Sequence, residues 1–372
     1  ATALHAAAAG ARTLVVSTDA AHSLGDSFGR AVASTPTELA PHLFAQQLDA
    51  SERFEEAWGD VQGYLVEVMG WAGVDSVEAE ELAVLPGLDE LFSLTAILGH
   101  AASGEWDAIV VDCAPTAETI RLLSLPDVLG WYMAKVFPAT RRVARLARPL
   151  LSAMGGVPPV AGDQVFAALE RLVDQLAGVR QLLADTSTTS LRLVVNPERM
   201  VVAEARRTAT YMALFGYRVD AVVANRLLPE AVTDPWFKAW RESHAEHLAT
   251  IVEGFAPLPV LRADLASDEV VGAARLAALA TELYGVDDPL AVLHEGQPMS
   301  VRRRGERSVL VLPLPFCEHH ELEVGRRDDD LLVRVGPYRR AVHLPDSLQR
   351  RVVAGAALRD GGLEVEFAEG DR

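Results

Sequence analysis

Lysine is nearly missing from this sequence: 34 residues are basic, yet only Lys135 and Lys238 are lysines. Any chemistry that demands a phosphate-binding lysine must find it in one of those two or outside these 372 residues. Cysteine is as scarce, with Cys113 and Cys317 far apart in the chain. That excludes a disulfide framework and any Cys-x-x-Cys zinc site within one chain. Basic charge is in deficit too: 52 acidic residues leave a net charge of −18, which argues against nucleic acid as a partner. No uninterrupted apolar run reaches the roughly 18 to 20 residues that a membrane-spanning helix needs. What is abundant is aliphatic. Half of the chain is hydrophobic and only 6% is aromatic, ample material for a core and incompatible with a disordered or collagen-like chain. The length points to two domains, or one large domain with an appendage. The expectation is a soluble protein of a reducing compartment.

The chain opens on Ala1, and Ala1 to Gly10 already read as a running helix, which predicts that further coding sequence precedes residue 1. Thr13 to Ser17 is a short β-branched and apolar run between Gly10 and a polar turn, the pattern of a buried strand. Ala108 to Asp112, Leu191 to Val195 and Val219 to Ala224 repeat it. Helical patterns lie between them at Ala50 to Met69, Pro86 to Ser103, Gln164 to Leu183 and Pro197 to Phe215. Strands alternating with helices predict an α/β fold with a doubly wound, mostly parallel sheet. A strand-free apolar stretch at about residues 125–160, with Met133 and Phe137 among its apolar positions, predicts a helical insertion.

Near Glu295 to Ser300 the style of the sequence changes. Val309 to Leu314, Glu321 to Val324, Leu331 to Val335, Arg340 to Leu344 and Leu363 to Phe367 are short alternating segments between Gly, Asp or Pro turns, as in a small antiparallel β-sandwich. From Pro298 to Arg372 there are 13 arginines and 13 acids, so the preceding part carries the whole negative charge. Two domains are therefore expected, 1–295 and 298–372.

In a doubly wound sheet, ligands bind at the carboxyl ends of the strands. Two such ends carry acid and turn chemistry: Ser17-Thr18-Asp19-Ala20-Ala21-His22-Ser23-Leu24, and Asp112-Cys113-Ala114-Pro115-Thr116. An apolar strand ending in Asp is what a nucleotide hydrolase uses to hold a magnesium-bound water, and a second Asp on a neighbouring loop can orient the attacking water. On spacing alone, the competing reading is that Asp19 and Asp112 cap the helices that follow. Cys317-Glu318-His319-His320 offers soft and nitrogen ligands within a β-turn. His244 and His247 share a helical face at i and i+3, which reads as a solvated face.

The first of these segments, with Asp26 and Phe28, resembles the switch I segment of the arsenite-pump (ArsA) and tail-anchored-protein-targeting family of P-loop ATPases. Asp112 to Thr116 with Arg121-Leu122-Leu123-Ser124-Leu125-Pro126 is similar to its switch II. Pro86-Gly87-Leu88-Asp89-Glu90, Asn196-Pro197-Glu198 and Asn225-Arg226-Leu227-Leu228-Pro229 resemble further segments of that family, in the same order. The C-terminal piece resembles the small heat-shock-protein-like (α-crystallin-like) domain of some bacterial members, through Arg339 to Pro345 and Asp360 to Val365. The chain departs from the family pattern at Ala20, where the family has proline, and in lacking cysteines that match the arsenite site. Its glycine-rich phosphate loop is expected upstream of Ala1, since neither lysine sits in a glycine-rich strand-to-helix turn.

The resemblance implies a cytoplasmic, Mg-dependent ATPase with ATP bound between the protomers of a homodimer. It implies that Asp19 polarises the attacking water, that Asp112 holds the magnesium shell through water, and that Asn225 reads the adenine with the turn at Pro259 beside it. The implied output is closing and opening of the dimer, serving membrane-protein targeting or anion or metalloid transport. In the targeting branch the insertion would form an apolar groove for a hydrophobic client helix or membrane protein. The alternative is a non-catalytic, chaperone-like binding protein that uses the insertion and the sandwich without turnover.

Overall fold

The fold is given by a computed structural model, which describes residues 1–18, 23–48, 63, 64, 66, 88–113, 163–296, 299–359 and 361–370. Asp19, residues 114–126, the insertion at about 125–160 and all but residues 63, 64 and 66 of the expected helix from Ala50 to Met69 lie outside the described residues. The chain divides into two compact units, one of Ala11–Asp26 and Arg30–Leu182, the other of Ala1–Gly10, Ser27–Gly29 and Leu183–Arg372.

The first unit is organised around β1 (Thr13–Ser17), which is buried along its whole length. It pairs in parallel with β3 (Leu43–Gln47) on one side and β4 (Ala108–Asp112) on the other, and β2 (Thr37–Ala40) adds an antiparallel edge beside β3. A central strand with parallel neighbours on both sides must be apolar on both faces, which is why Leu14, Val15 and Val16 carry no alternation. The amino-terminal end of β1 is pinned. Arg12 N–H donates to the Asp107 carboxylate at 2.8 Å, and its guanidinium lies 5.0 Å from the Phe44 ring centre and 5.1 Å from that of Trp106. The short helix α2 (Ser23–Phe28) follows β1 in the chain. Helices α3 (Leu88–Ser103) and α4 (Asp163–Ala184) approach closely where Gly178 has no side chain: a Cβ there would stand 2.7 Å from Leu98 Cδ2.

The second unit holds α1 (Thr2–Ala8) and a parallel sheet of β5 (Leu191–Val195), β6 (Val219–Leu227) and β7 (Val260–Asp264), in that order. Helices α5 (Arg199–Phe215), α6 (Lys238–Gly254) and α7 (Ala273–Tyr284) accompany them. The expected alternation of helices with parallel strands is thus present, with the strands shared between two sheets. Asp220 on β6 is fully buried and takes the Arg192 guanidinium at 3.3 Å, while Arg192 also donates to Pro289 O and Ala291 O and so ties down the chain beyond α7.

The expected antiparallel sandwich follows. One sheet is β10 (Leu322–Arg327), β11 (Asp330–Val335) and β12 (Tyr338–His343); the other runs β13 (Val352–Arg359), β14 (Gly362–Ala368), β9 (Arg307–Pro313), β8 (Ser300–Arg304). The small helix α8 (Asp346–Gln349) lies in the chain between β12 and β13. Leu310, Leu312, Leu331, Val333, Val342, Leu363 and Phe367 share one buried core, and Leu214 from the last turn of α5 is part of it. Around that point Arg340 Nη1 donates to Leu214 O at 2.5 Å, the Tyr211 and Tyr338 rings meet at 4.5 Å with their planes tilted by 57°, and Thr210 Oγ1 donates to Pro315 O. Gly216 ends α5 at φ +83°, and a Cβ there would stand 3.0 Å from Arg340 Nη1. None of the described helices is long and apolar enough to cross a membrane.

Candidate functional site

The site builds from the carboxyl edge of the first unit's sheet. The parallel register sets Ser17 beside Asp112. One residue on, Thr18 N–H donates to Asp112 O at 3.0 Å and Thr18 Oγ1 donates to the same oxygen at 3.3 Å. The two strand ends singled out in the sequence therefore meet. Asp112 closes a half-buried strand and is itself exposed at its end. A carboxylate held at the rim of a parallel sheet is a hard oxygen donor of the kind that binds magnesium, so the residues present fit that ion. Asp19, the residue after Thr18, lies outside the described residues.

A second carboxyl edge, in the other unit, gathers two more of the sequence segments. Val195 pairs with Ala224, so Asn196 and Asn225 follow from neighbouring strands at one level. Glu198 N–H folds back to Asn196 O at 2.7 Å as the chain enters α5. Asn225 is half-buried in an irregularity of β6, and the next residue, Arg226, has a left-handed φ of +55°. Pro259 is not beside it. Val222 pairs with Val260, and Val222 N–H donates to Pro259 O at 3.0 Å, which sets Pro259 at the amino end of β7. Three residues of strand, about 10 Å, separate that level from Asn225. The expectation of a Pro259 turn at the base is corrected: β7 runs parallel to β6, so the chain near Asn225 is the far end of β7, where Leu265 N–H donates to Leu227 O at 2.7 Å.

The sequence reading set His244 on a solvated helical face, and the structure places it otherwise. It is half-buried, and its Nδ1 accepts the Leu228 N–H at 3.2 Å, immediately past β6. Burial pushes its pKa below the usual histidine value, with Glu198 opposing and His247 assisting. The i, i+3 histidine pair was the available signal, and the backbone donor it meets is invisible in a linear pattern. At the β-turn of the sandwich, Cys317 Sγ donates to Glu318 O at 3.7 Å, and His320 Nδ1 stands 3.3 Å from Glu318. Among the described residues no three His, Cys, Asp or Glu side chains gather as a metal ion requires.

Parallel sheets flanked by helices, with acid, hydroxyl and amide groups collected at the strands' carboxyl ends, define an α/β protein of the nucleotide-binding class. The family model for "Anion-transporting ATPase" matches residues 1–285, and that for the "HSP20-like domain found in ArsA" matches residues 305–367. A protein of Prosthecochloris vibrioformis, named as an arsenical pump-driving ATPase, is 36% identical over 372 residues, which cover 99% of this chain and 91% of that protein. The ATPase ASNA1 homolog of Trypanosoma cruzi is 26% identical over 294 residues, 74% of this chain and 81% of that one. The ATPase GET3B of Arabidopsis thaliana is 32% identical over 250 residues, 60% of this chain and 58% of its own. The chain belongs to the ArsA ATPase family, in the form that carries an HSP20-like domain.

Proposed function

We propose that the protein is a Mg-dependent ATPase that works as a cytoplasmic homodimer and converts its nucleotide state into dimer opening and closing. The observation that carries this reading is the double tie from Thr18 to the Asp112 carbonyl. Through it, the first residue past β1 is held against the last residue of β4. A change at one strand end is then felt at the other, as a switch needs. In this reading Asp112 holds the magnesium shell through water, and Asp19, next to Thr18, polarises the attacking water. Magnesium supplies charge neutralisation at the phosphates when bound. Asn225 holds the base from the bulge of β6, and the segment after Asp264 takes the place first given to Pro259.

The output is movement or delivery of a membrane partner's cargo: membrane-protein targeting or anion or metalloid transport. The pump-driving name of the Prosthecochloris relative supports the second use. The lack of cysteines matching an arsenite site disfavours a thiol-ligated metalloid. An apolar groove formed by the 125–160 segments of two protomers would serve the first, for a hydrophobic client helix.

The test is Asp19→Asn in the full-length protein. ATP binding should persist while turnover falls at least about a hundredfold, which is about 2.7 kcal/mol of transition-state stabilisation. Near-normal turnover would refute the assignment. A native protein that binds ATP and never hydrolyses it would favour the non-catalytic, chaperone-like reading.

A further inference from the structure

The segment assigned to the base is not regular strand. Ala224 pairs with Arg262 and Leu227 with Asp264, so three steps along β6 are matched by two along β7. The extra residue is taken up at Asn225–Arg226, where Arg226 has a φ of +55°. A bulge of this kind turns a side chain out of the strand's alternation, and a left-handed backbone is strained at a non-glycine residue. Such a shape persists only where its surroundings hold it. Here the peptide unit that follows the bulge is held from both sides. Its carbonyl, Leu227 O, accepts the Leu265 N–H at 2.7 Å, and its N–H, on Leu228, donates to His244 Nδ1 at 3.2 Å. Trp240, one turn earlier on α6, presents an edge-to-face contact at 5.9 Å to the imidazole.

We propose that His244 is a positioning residue for nucleotide binding: its Nδ1 clamps the Leu227–Leu228 peptide and keeps the Asn225 bulge in the shape that holds the base. This rests on the reading of Asn225 as the base-holding residue. The clamp requires a lone pair on Nδ1. A protonated imidazole presents N–H there, donor against donor, and the bond is lost. The charged groups that face the ring are Glu198, at the start of α5, which favours protonation, and His247 on α6, which opposes it. With burial added, the neutral form is kept to a lower pH than in an ordinary histidine, so the clamp opens only as pH falls below the usual histidine range.

The experiment uses the full-length protein and two probes, ATP and inorganic triphosphate, which lacks the base. His244→Leu should weaken ATP binding about tenfold, leave triphosphate binding unchanged, and speed amide exchange at Leu228 at least tenfold. His244→Asn places an acceptor oxygen where Nδ1 stood. It should bind ATP like the native protein at pH 7.5, and it should lose the weakening that the native protein shows at pH 5.5. A folded His244→Leu protein with native ATP affinity, while Asn225→Ala binds ATP weakly, overturns the clamp and leaves the base assignment standing. An Asn225→Ala protein with native affinity for ATP overturns the base assignment itself. Should His244→Leu not fold, a His244→Asn protein that weakens at pH 5.5 as much as the native one is sufficient to reject the proposal.

Discussion

Leu214→Ala tests how the C-terminal sandwich is attached. Leu214 belongs to the last turn of α5, yet its fully buried side chain is part of the sandwich core with Leu310, Leu331 and Phe367. Deleting a buried leucine side chain costs 2–5 kcal/mol, and the cost depends on how far the surroundings collapse into the cavity. Here the walls come from β9, β11 and β14, each fixed in register by its neighbours, and Arg340 holds the backbone at Leu214 O at 2.5 Å. Collapse is restricted, so a loss of about 3 kcal/mol is expected. For a unit of this size that lowers Tm by roughly 6 to 12 °C. The assay is differential scanning calorimetry of the native protein, of Leu214→Ala and of Val286→Ala. Val286 is 101% exposed, so its removal should stay within about 0.5 kcal/mol. The sandwich and the β5–β6–β7 sheet should melt together and shift together. A loss below about 1 kcal/mol, or a separate sandwich transition that alone responds, would refute the shared core.

Cys317 should resist alkylation, because burial, then Glu321 and Glu318, push its thiol pKa up to about 11; iodoacetamide at pH 8 should label it far more slowly than a small free thiol, and equal rates would contradict this. The Arg307 hydrogen bond, at 2.5 Å, and the charges of Arg307 and Arg304 hold the Glu366 carboxyl below the usual glutamate range. A lowered acid contributes stability that is present above its unfolded pKa and lost as pH falls through the folded one, so the contribution should fade below about pH 4.5. Arg307→Ala should raise the Glu366 titration seen by NMR, and an unmoved titration would reject the pairing. Gly178→Ala would set a Cβ 2.7 Å from Leu98 Cδ2, the tip of a flexible side chain that can turn aside, while removing a helix-interior glycine gains about 0.5 to 1 kcal/mol, so denaturant unfolding should change by less than about 1 kcal/mol. A loss above about 3 kcal/mol would mean that Leu98 cannot give way.

What the sequence made legible follows from burial. β1 stood out because a parallel strand inside a sheet needs aliphatic side chains on both faces, and β4, half-buried beside it, carries the same aliphatic run. β3 did not, because Gln46 and Gln47 interrupt its apolar run although both are buried. The Gln46 amide is satisfied within the fold, donating to Ser34 O at 2.6 Å and meeting His100 Nε2 at 2.6 Å, so burial cost no hydrogen bond and left no trace in hydropathy. β13 was missed for the opposite reason: it is largely exposed and built of Gly and Ala, with no apolar face to alternate. The composition break near Glu295 marked a change of strand style, but Leu214 shows that the core crosses it. The place of Asp112 at the end of β4 was legible because an acid ending an apolar strand is a local pattern. The misplacement of Pro259 was not local. Which end of β7 faces Asn225 depends on strand direction and register, and neither is written in spacing.

The central claim is that the edge where β1 meets β4 hydrolyses ATP with magnesium held at Asp112, and one titration tests it most directly. ATP turnover by the full-length protein and by Asp112→Asn is measured across magnesium concentrations, with ATP affinity measured in parallel. The native protein should turn over ATP only with magnesium present. The variant should bind ATP, need far more magnesium, and fall at least about a hundredfold short in turnover. Equal turnover and an equal magnesium requirement in the two proteins would contradict the account.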